Sequence, residues 1–151
     1  MTRRSETALS YFDEGFNCSQ AVFTTFATEY GLPEELALKV ATQFGGGARK
    51  GEMCGAVTGA LMVLGLKNGH FHRNAPEEKQ HAYERAEEFM NRFIEKEGTV
   101  VCREALGYDV SKPEDKIKIK ELDLFKITCP KMIQCATELV EEMLNEEQYN
   151  L

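Results

Sequence analysis

The chain has 151 residues, 42% of them hydrophobic and 28% charged, with a net charge of −7 at neutral pH. That length suits one domain, expected over 1–151, large enough to bury roughly two-thirds of its unfolded surface. The acidic balance argues against nucleic acid or an anionic membrane surface as the main partner. The longest apolar run, CGAVTGALMVLGL, falls short of the about 20 residues a membrane-spanning helix needs, so no membrane insertion is expected. No long apolar stretch follows Arg3 and Arg4, so no signal peptide is indicated and the expected location is the cytoplasm.

Taken in chain order, TALSYFDEG places Ala8, Leu9 and Phe12 at helical spacing and stops at Gly15. Asn17 reads as an N-cap, with Cys18 at the first helical position and Val22 and Phe26 following at helical spacing. A third helix restarts at Pro33 and ends at Gly45 to Gly47, and a fourth runs from after Gly51 to Leu66. PEEKQHAYERAEEFMNRFIEKEG predicts a long helix with Pro76 in its first turn. Its expected apolar stripe is Tyr83, Ala86, Met90, Phe93 and Ile94, stopped by Gly98. In KPEDKIKIKELDLFKIT, the residues Ile117, Ile119, Leu122 and Leu124 partly alternate, but no partner strand is evident, so an irregular segment or short helix is expected. From Pro130 a last helix carries Ile133, Ala136, Val140 and Met143 on one face. The expected architecture is all-α, a bundle of about six helices around one core.

Five cysteines cannot all pair within one chain, and in a reducing compartment metal or redox roles gain weight over structural disulfides. The plain alternative for each is a small buried hydrophobe. On the helix assignment, Cys18, Cys54, Cys102 and Cys129 all fall at helix starts, Cys129 as the N-cap before Pro130. The partial positive charge there favours the thiolate, the reactive and metal-binding form. At about 100° per residue, Cys135 points about a third of a turn away from Cys129, and is read as a bystander.

Gly45, Gly46 and Gly47 permit left-handed backbone, so successive N–H groups can hold an anion, and Arg49 and Lys50 add positive charge before Cys54. The competing reading is a surface loop with solvated cations. No Gly-Lys-Ser/Thr follows, which excludes a phosphate-binding P-loop. Gly55 and Gly59, one turn apart, suit a close helix crossing. Cys54 is expected to be the most acidic thiol, because it combines a helix start, two preceding cations and glycine N–H donors. His70 and His72 form an H-x-H pair that suits a metal or simple solvation, and His81 reads as a surface residue.

The segments FNCSQAVF, FGGGARKGEMCGAVTGALMVLGL, RFIEKEGTVVCREALG and CPKMI resemble the redox-active bacterial and archaeal family named for its C…CGAxxG…C…C pattern. Carried over residue by residue, the four cysteines fall on Cys18, Cys54, Cys102 and Cys129, with Gly55, Ala56 and Gly59 completing the central motif. The resemblance implies a redox or metal-associated role, and Cys135 lies outside the pattern.

Three functions compete. One is thiol–disulfide redox chemistry with an unknown redox partner, the cysteines acting catalytically although no C-x-x-C is present. A second is an iron–sulfur cluster or zinc held by Cys18, Cys54, Cys102 and Cys129. Gly45, Gly46, Gly47, Arg49, Lys50, Gly55 and Gly59 are the candidate residues around such a cofactor. The third is a non-catalytic helical interaction module. Tight small-residue faces also admit a homodimer.

Overall fold

Local capping sets the first helices before any packing is considered. Thr2 accepts a hydrogen bond from the Ser5 backbone and opens α1 (Arg3–Asp13). Asn17 does the same for α2 (Cys18–Ala27): its carbonyl oxygen accepts from Gln20 N–H at 2.9 Å, while the Gln20 side chain accepts from Asn17 N–H at 2.9 Å. This reciprocal cap satisfies two donors that an open helix end would leave free. The computed structural model describes residues 1–149, so residues 150 and 151 of the expected domain lie outside it. The remaining helices are α3 (Glu34–Ala41), α4 (Gly55–Asn68), α5 (Pro76–Glu97), α6 (Cys102–Leu106), α7 (Pro113–Glu121), α8 (Leu124–Ile127) and α9 (Cys129–Tyr149). Among the described residues the single β-type pairing is an antiparallel bridge between Met53 and Val101. The fold is all-α.

The helices outnumber the six or so expected because residues 102–128 break into three short pieces. Gly107 ends α6 with φ 78°, and Asp123 separates α7 from α8 with φ 56°. The strand-like alternation there has no structural counterpart: Ile119 is buried, while Ile117 and Leu122 are exposed. In α5 the buried face is Phe89 and Phe93, and Tyr83 and Ile94 of the expected stripe are exposed. In α9 the expected face is the observed one, with Ile133, Ala136, Val140 and Met143 all buried.

Helix α2 is the centre. All ten of its residues are buried, and it packs against α1, α3, α4 and α9. The approach of α4 is close because two positions lack a side chain. A Cβ at Gly59 would stand 2.9 Å from the Ser19 carbonyl oxygen and 3.3 Å from the Phe23 nitrogen. A Cβ at Gly55 would run into the Cys18 sulfur and stand 3.1 Å from the Ser19 nitrogen. Gln20 fixes the other side of α2: its amide donates to the Leu38 carbonyl at 3.0 Å and to Thr42 Oγ1 at 3.2 Å. The Asn17 amide donates to the Thr42 carbonyl at 2.9 Å, which delivers the chain to the glycine loop beside Cys18.

The crossing can be tested with two glycines of the same helix. Gly59→Ala must push against backbone atoms and should destabilise by about 1–3 kcal/mol. Gly65→Ala, exposed and with nothing within 4 Å, should stabilise by about 0.5–1 kcal/mol through helix propensity. Denaturant midpoints at unchanged m-value measure both. Equal effects would mean that α2 and α4 do not approach this closely.

Candidate functional site

The loop after α3 is built by backbone conformations that glycine favours. Gly46, Gly47, Ala48 and Arg49 have φ of 64°, 62°, 55° and 67°, a left-handed turn followed by Gly51 at 68°. Glu52 N–H closes the turn on the Gly47 carbonyl at 3.1 Å. Gly47 cannot carry a side chain, because its Cβ would stand 2.8 Å from the Glu52 oxygen and 2.9 Å from Cys102 Cβ. Beyond the turn, Cys54 N–H donates to the Val100 carbonyl at 2.7 Å and Cys102 N–H donates to the Glu52 carbonyl at 2.6 Å. This short ladder ties the starts of α4 and α6 together, and side-chain alternation puts Cys54 and Cys102 on the same side of it.

Four cysteines therefore meet. Cys18, Cys54, Cys102 and Cys129 line one cavity of about 110 Å³, with Gly46, Arg49 and Gly55. Apolar walls come from Phe12, Ala105, Leu106, Phe125 and Met132. Cys18 and Cys54 belong to the main apolar core; Cys102, and Cys129 packed against it, belong to a second cluster with Val110 and Ile119. The cavity sits where the two clusters meet. Cys135 lies elsewhere, in a groove with Lys96, Glu97 and Glu138.

The remaining expected site residues divide. Gly46, Arg49 and Gly55 border the cavity. Gly45 packs on the Asn17 side chain, Gly47 on Cys102, and Gly59 on α2, so these three shape the surroundings without lining the cavity. Lys50 is exposed and is not part of the lining. Phe125 and Thr128 were not among the candidates; they come from the region without clear periodicity, and no local signal marked them. His70 and His72 are exposed: a ring nitrogen of His70 meets the His72 carbonyl at 2.7 Å, and His72 meets Glu78 at 2.8 Å.

Cys18 and Cys54 lie together on the cavity wall, and their interaction separates their acidities. Cys18 is held below the ordinary thiol value, chiefly because Cys54 donates its S–H to it. Burial opposes the shift, and the backbone N–H groups of Gly46, Ser19 and Cys18 itself support it. Cys54 is raised for the complementary reasons: it donates to Cys18, it is buried, and it faces the charge of Cys18, while the N–H groups of Ala56 and Val57 act the other way. These directions run against the expectation that Cys54 is the most acidic thiol and favour Cys18. Of the glycine loop, the Gly46 N–H acts on Cys18 rather than on Cys54, and Cys54 is itself the N-cap of α4.

Burial wins at the other thiols. It pushes Cys102 up to about 11, reinforced by Cys18 and opposed by Arg49. It pushes Cys129 up to about 12, reinforced by Cys18 and Cys102. Cys135 is also pushed up to about 12, by burial and then by Glu97.

The donor set of four sulfurs suits zinc or an iron–sulfur cluster, but the spacing does not close around one. Among the described residues, no group of three or more His, Cys, Asp or Glu side chains is near enough to hold a single ion. What the arrangement offers directly is a neighbouring pair of thiols of unlike acidity, with two further thiols on the wall of the same small, largely apolar cavity.

These features define an all-helical protein with four thiols gathered from four helix starts. A family model described as "Putative redox-active protein (C_GCAxxG_C_C)" matches residues 16–143, and the chain belongs to that family. In this chain the central block reads Cys54-Gly55-Ala56-Val57-Thr58-Gly59, with the cysteine ahead of the glycine. No curated protein and no solved structure matches it.

Two measurements follow from these environments. As pH is raised from the acid side, alkylation of the reduced protein with mass-spectrometric assignment should reach Cys18 before the other four thiols; prior modification of Cys54 would reverse the donor assignment. Stability should also depend on pH. A thiol raised in the folded state leaves stability intact below its unfolded value of 9.0. Above it the unfolded thiol ionises and the native one does not, so stability is lost as pH rises towards the folded values of about 11 for Cys102 and about 12 for Cys129. Denaturant unfolding under reducing conditions should show this decline, flattened when Cys102→Ala and Cys129→Ala are combined.

Proposed function

We propose that the protein carries out thiol–disulfide exchange, with Cys18 as the attacking thiol and Cys54 as the resolving one. The observation that carries this is that Cys18 and Cys54 line one cavity at the packed starts of α2 and α4, the Cys18 sulfur lying against Gly55 next to Cys54, in surroundings that lower the Cys18 thiol and raise Cys54. The Cys18 thiolate attacks one sulfur of a substrate disulfide, forming a mixed disulfide and expelling the other sulfur as thiolate. Cys54 then attacks the Cys18 sulfur as its proton passes to the departing sulfur. A Cys18–Cys54 disulfide forms, and two electrons have moved to the substrate. A dithiol partner returns them by the reverse steps. Cys102 and Cys129 complete the catalytic set as the thiols facing this pair across the cavity. The chain is taken to work as one domain in a reducing compartment, the cytoplasm, where the resting pair is the dithiol.

A second reading, a zinc or iron–sulfur centre on the same four cysteines, draws on their common cavity. It requires the sulfurs to move closer than they stand. Metal analysis and the visible spectrum of anaerobically purified protein discriminate between the two.

One equivalent of a small disulfide oxidant should consume two of the five thiols and give a Cys18–Cys54 link in peptide maps. Cys54→Ala should instead accumulate a mixed disulfide on Cys18, and Cys18→Ala neither product. Metal bound in stoichiometric amount, with all thiols resistant to the oxidant, would overturn the exchange reading.

A further inference from the structure

Among the described residues, Arg49 is the only ionisable side chain besides the cysteines on the cavity wall, and no carboxylate lines it. Among the described residues it forms no ion pair; its one hydrogen bond runs from Nη1 to the Gly45 carbonyl at 3.3 Å. A guanidinium carries five N–H donors, so most of its capacity is unused. The neighbouring cation is already committed: Arg103 pairs with Glu52 at 3.0 Å and donates to the Gly51 carbonyl at 3.1 Å. Asp109, which acts on Cys102 from outside the lining, has its carboxylate engaged by Ser111 N–H at 2.8 Å.

The backbone puts this cation where it is. Arg49 and Ala48 hold positive φ, a conformation unfavourable for residues with a Cβ. The turn folds the guanidinium back over Gly46, with Nη1 only 2.6 Å from where a Cβ at Gly46 would stand. That same Gly46 lines the cavity with Cys18, and its N–H favours the Cys18 thiolate. An unpaired charge and the attacking thiol thus line the same cavity, with Gly46 on its wall as well. At about 110 Å³, the cavity is well below the roughly 300–1,000 Å³ of sites that enclose a drug-sized ligand, so it admits only the reactive end of a small molecule.

We propose that Arg49 is the substrate-recognition residue, and that the substrate is a small disulfide with a carboxylate or similar anionic group near its sulfur. This rests on the thiol–disulfide reading. The anion pairs with the free face of the guanidinium while the adjacent sulfur meets Cys18. In the exchange step the Cys18–substrate S–S bond forms as the substrate's own S–S bond breaks. The leaving half departs as an anionic thiolate, and the substrate is the oxidant.

Iodoacetate and iodoacetamide test this on the reduced full chain, because they share size and reacting carbon and differ in charge. The iodoacetamide rate at Cys18, read by mass spectrometry, reports thiolate content, so the iodoacetate-to-iodoacetamide ratio isolates anion recognition. That ratio should fall roughly fivefold or more in Arg49→Gln and be largely retained in Arg49→Lys, as a charge-assisted contact requires. It should also fall with added salt in the unmodified protein, a readout independent of how the variants fold. If Cys18 reacts readily but the ratio ignores both Arg49→Gln and salt, anion recognition by Arg49 is wrong and the exchange reading stands. If neither reagent modifies Cys18 in the native protein, both fall.

Discussion

The close approach of α4 to α2, allowed by Gly55 and Gly59, is the constraint on which the thiol site depends. The sulfur of Cys18 occupies the space a side chain at Gly55 would need. A larger residue there would push Cys54 away and break the S–H···S contact that distinguishes the two thiols. The same approach makes the surroundings dry, since Ala56, Val57 and Ala60 of α4 are fully buried against the core. A thiol pair buried to this degree is poorly solvated, and its charge depends on hydrogen bonds from the protein. Gly46, Ser19 and Cys54 supply them to Cys18.

Four helix starts do not make four equivalent thiols. Cys18 opens a helix whose cap is complete and whose neighbouring loop donates an additional N–H. Cys102 opens a helix of five residues, too short to add much field, and burial prevails. Cys129 follows α8 almost without interruption: Thr128 has helical angles of −88° and −48°, and its carbonyl accepts from Met132 N–H at 3.2 Å. The start of α9 is therefore not a free positive end, and Pro130 contributes no N–H. The macrodipole argument is sound where the end is open and donors are unengaged, and loses to desolvation where they are not.

Positive φ at Ala48 and Arg49 costs on the order of 1–2 kcal/mol per residue, set against the one hydrogen bond from the Arg49 side chain to the Gly45 carbonyl. The turn persists because its exits are fixed, through Asn17 and Thr42 on one side and the Met53–Val101 bridge on the other. Strain kept in this way is characteristic of segments that position chemical groups. Here those groups are the Gly46 N–H and the Arg49 guanidinium.

The caps at Asn17 and Pro76, the stops at Gly15 and Gly98 and the apolar face of α9 were legible because each depends on residues within a turn or two of one another. So was the grouping of Cys18, Cys54, Cys102 and Cys129, through their shared placement at helix starts and the family pattern. The split of residues 102–128 into short helices was not, because Ile117 and Leu122 mimic alternation and only packing shows that Ile119 alone is buried. Nor was the phase of α5, where Phe89 replaced Tyr83 and Ile94 on the buried face. The sequence by itself determined an all-helical chain with four thiols at helix starts, because capping and periodicity are local. Only the tertiary structure decided that Cys18 is the acidic member of the pair, because a thiol's charge is set by donors and burial that come from segments far away in the chain.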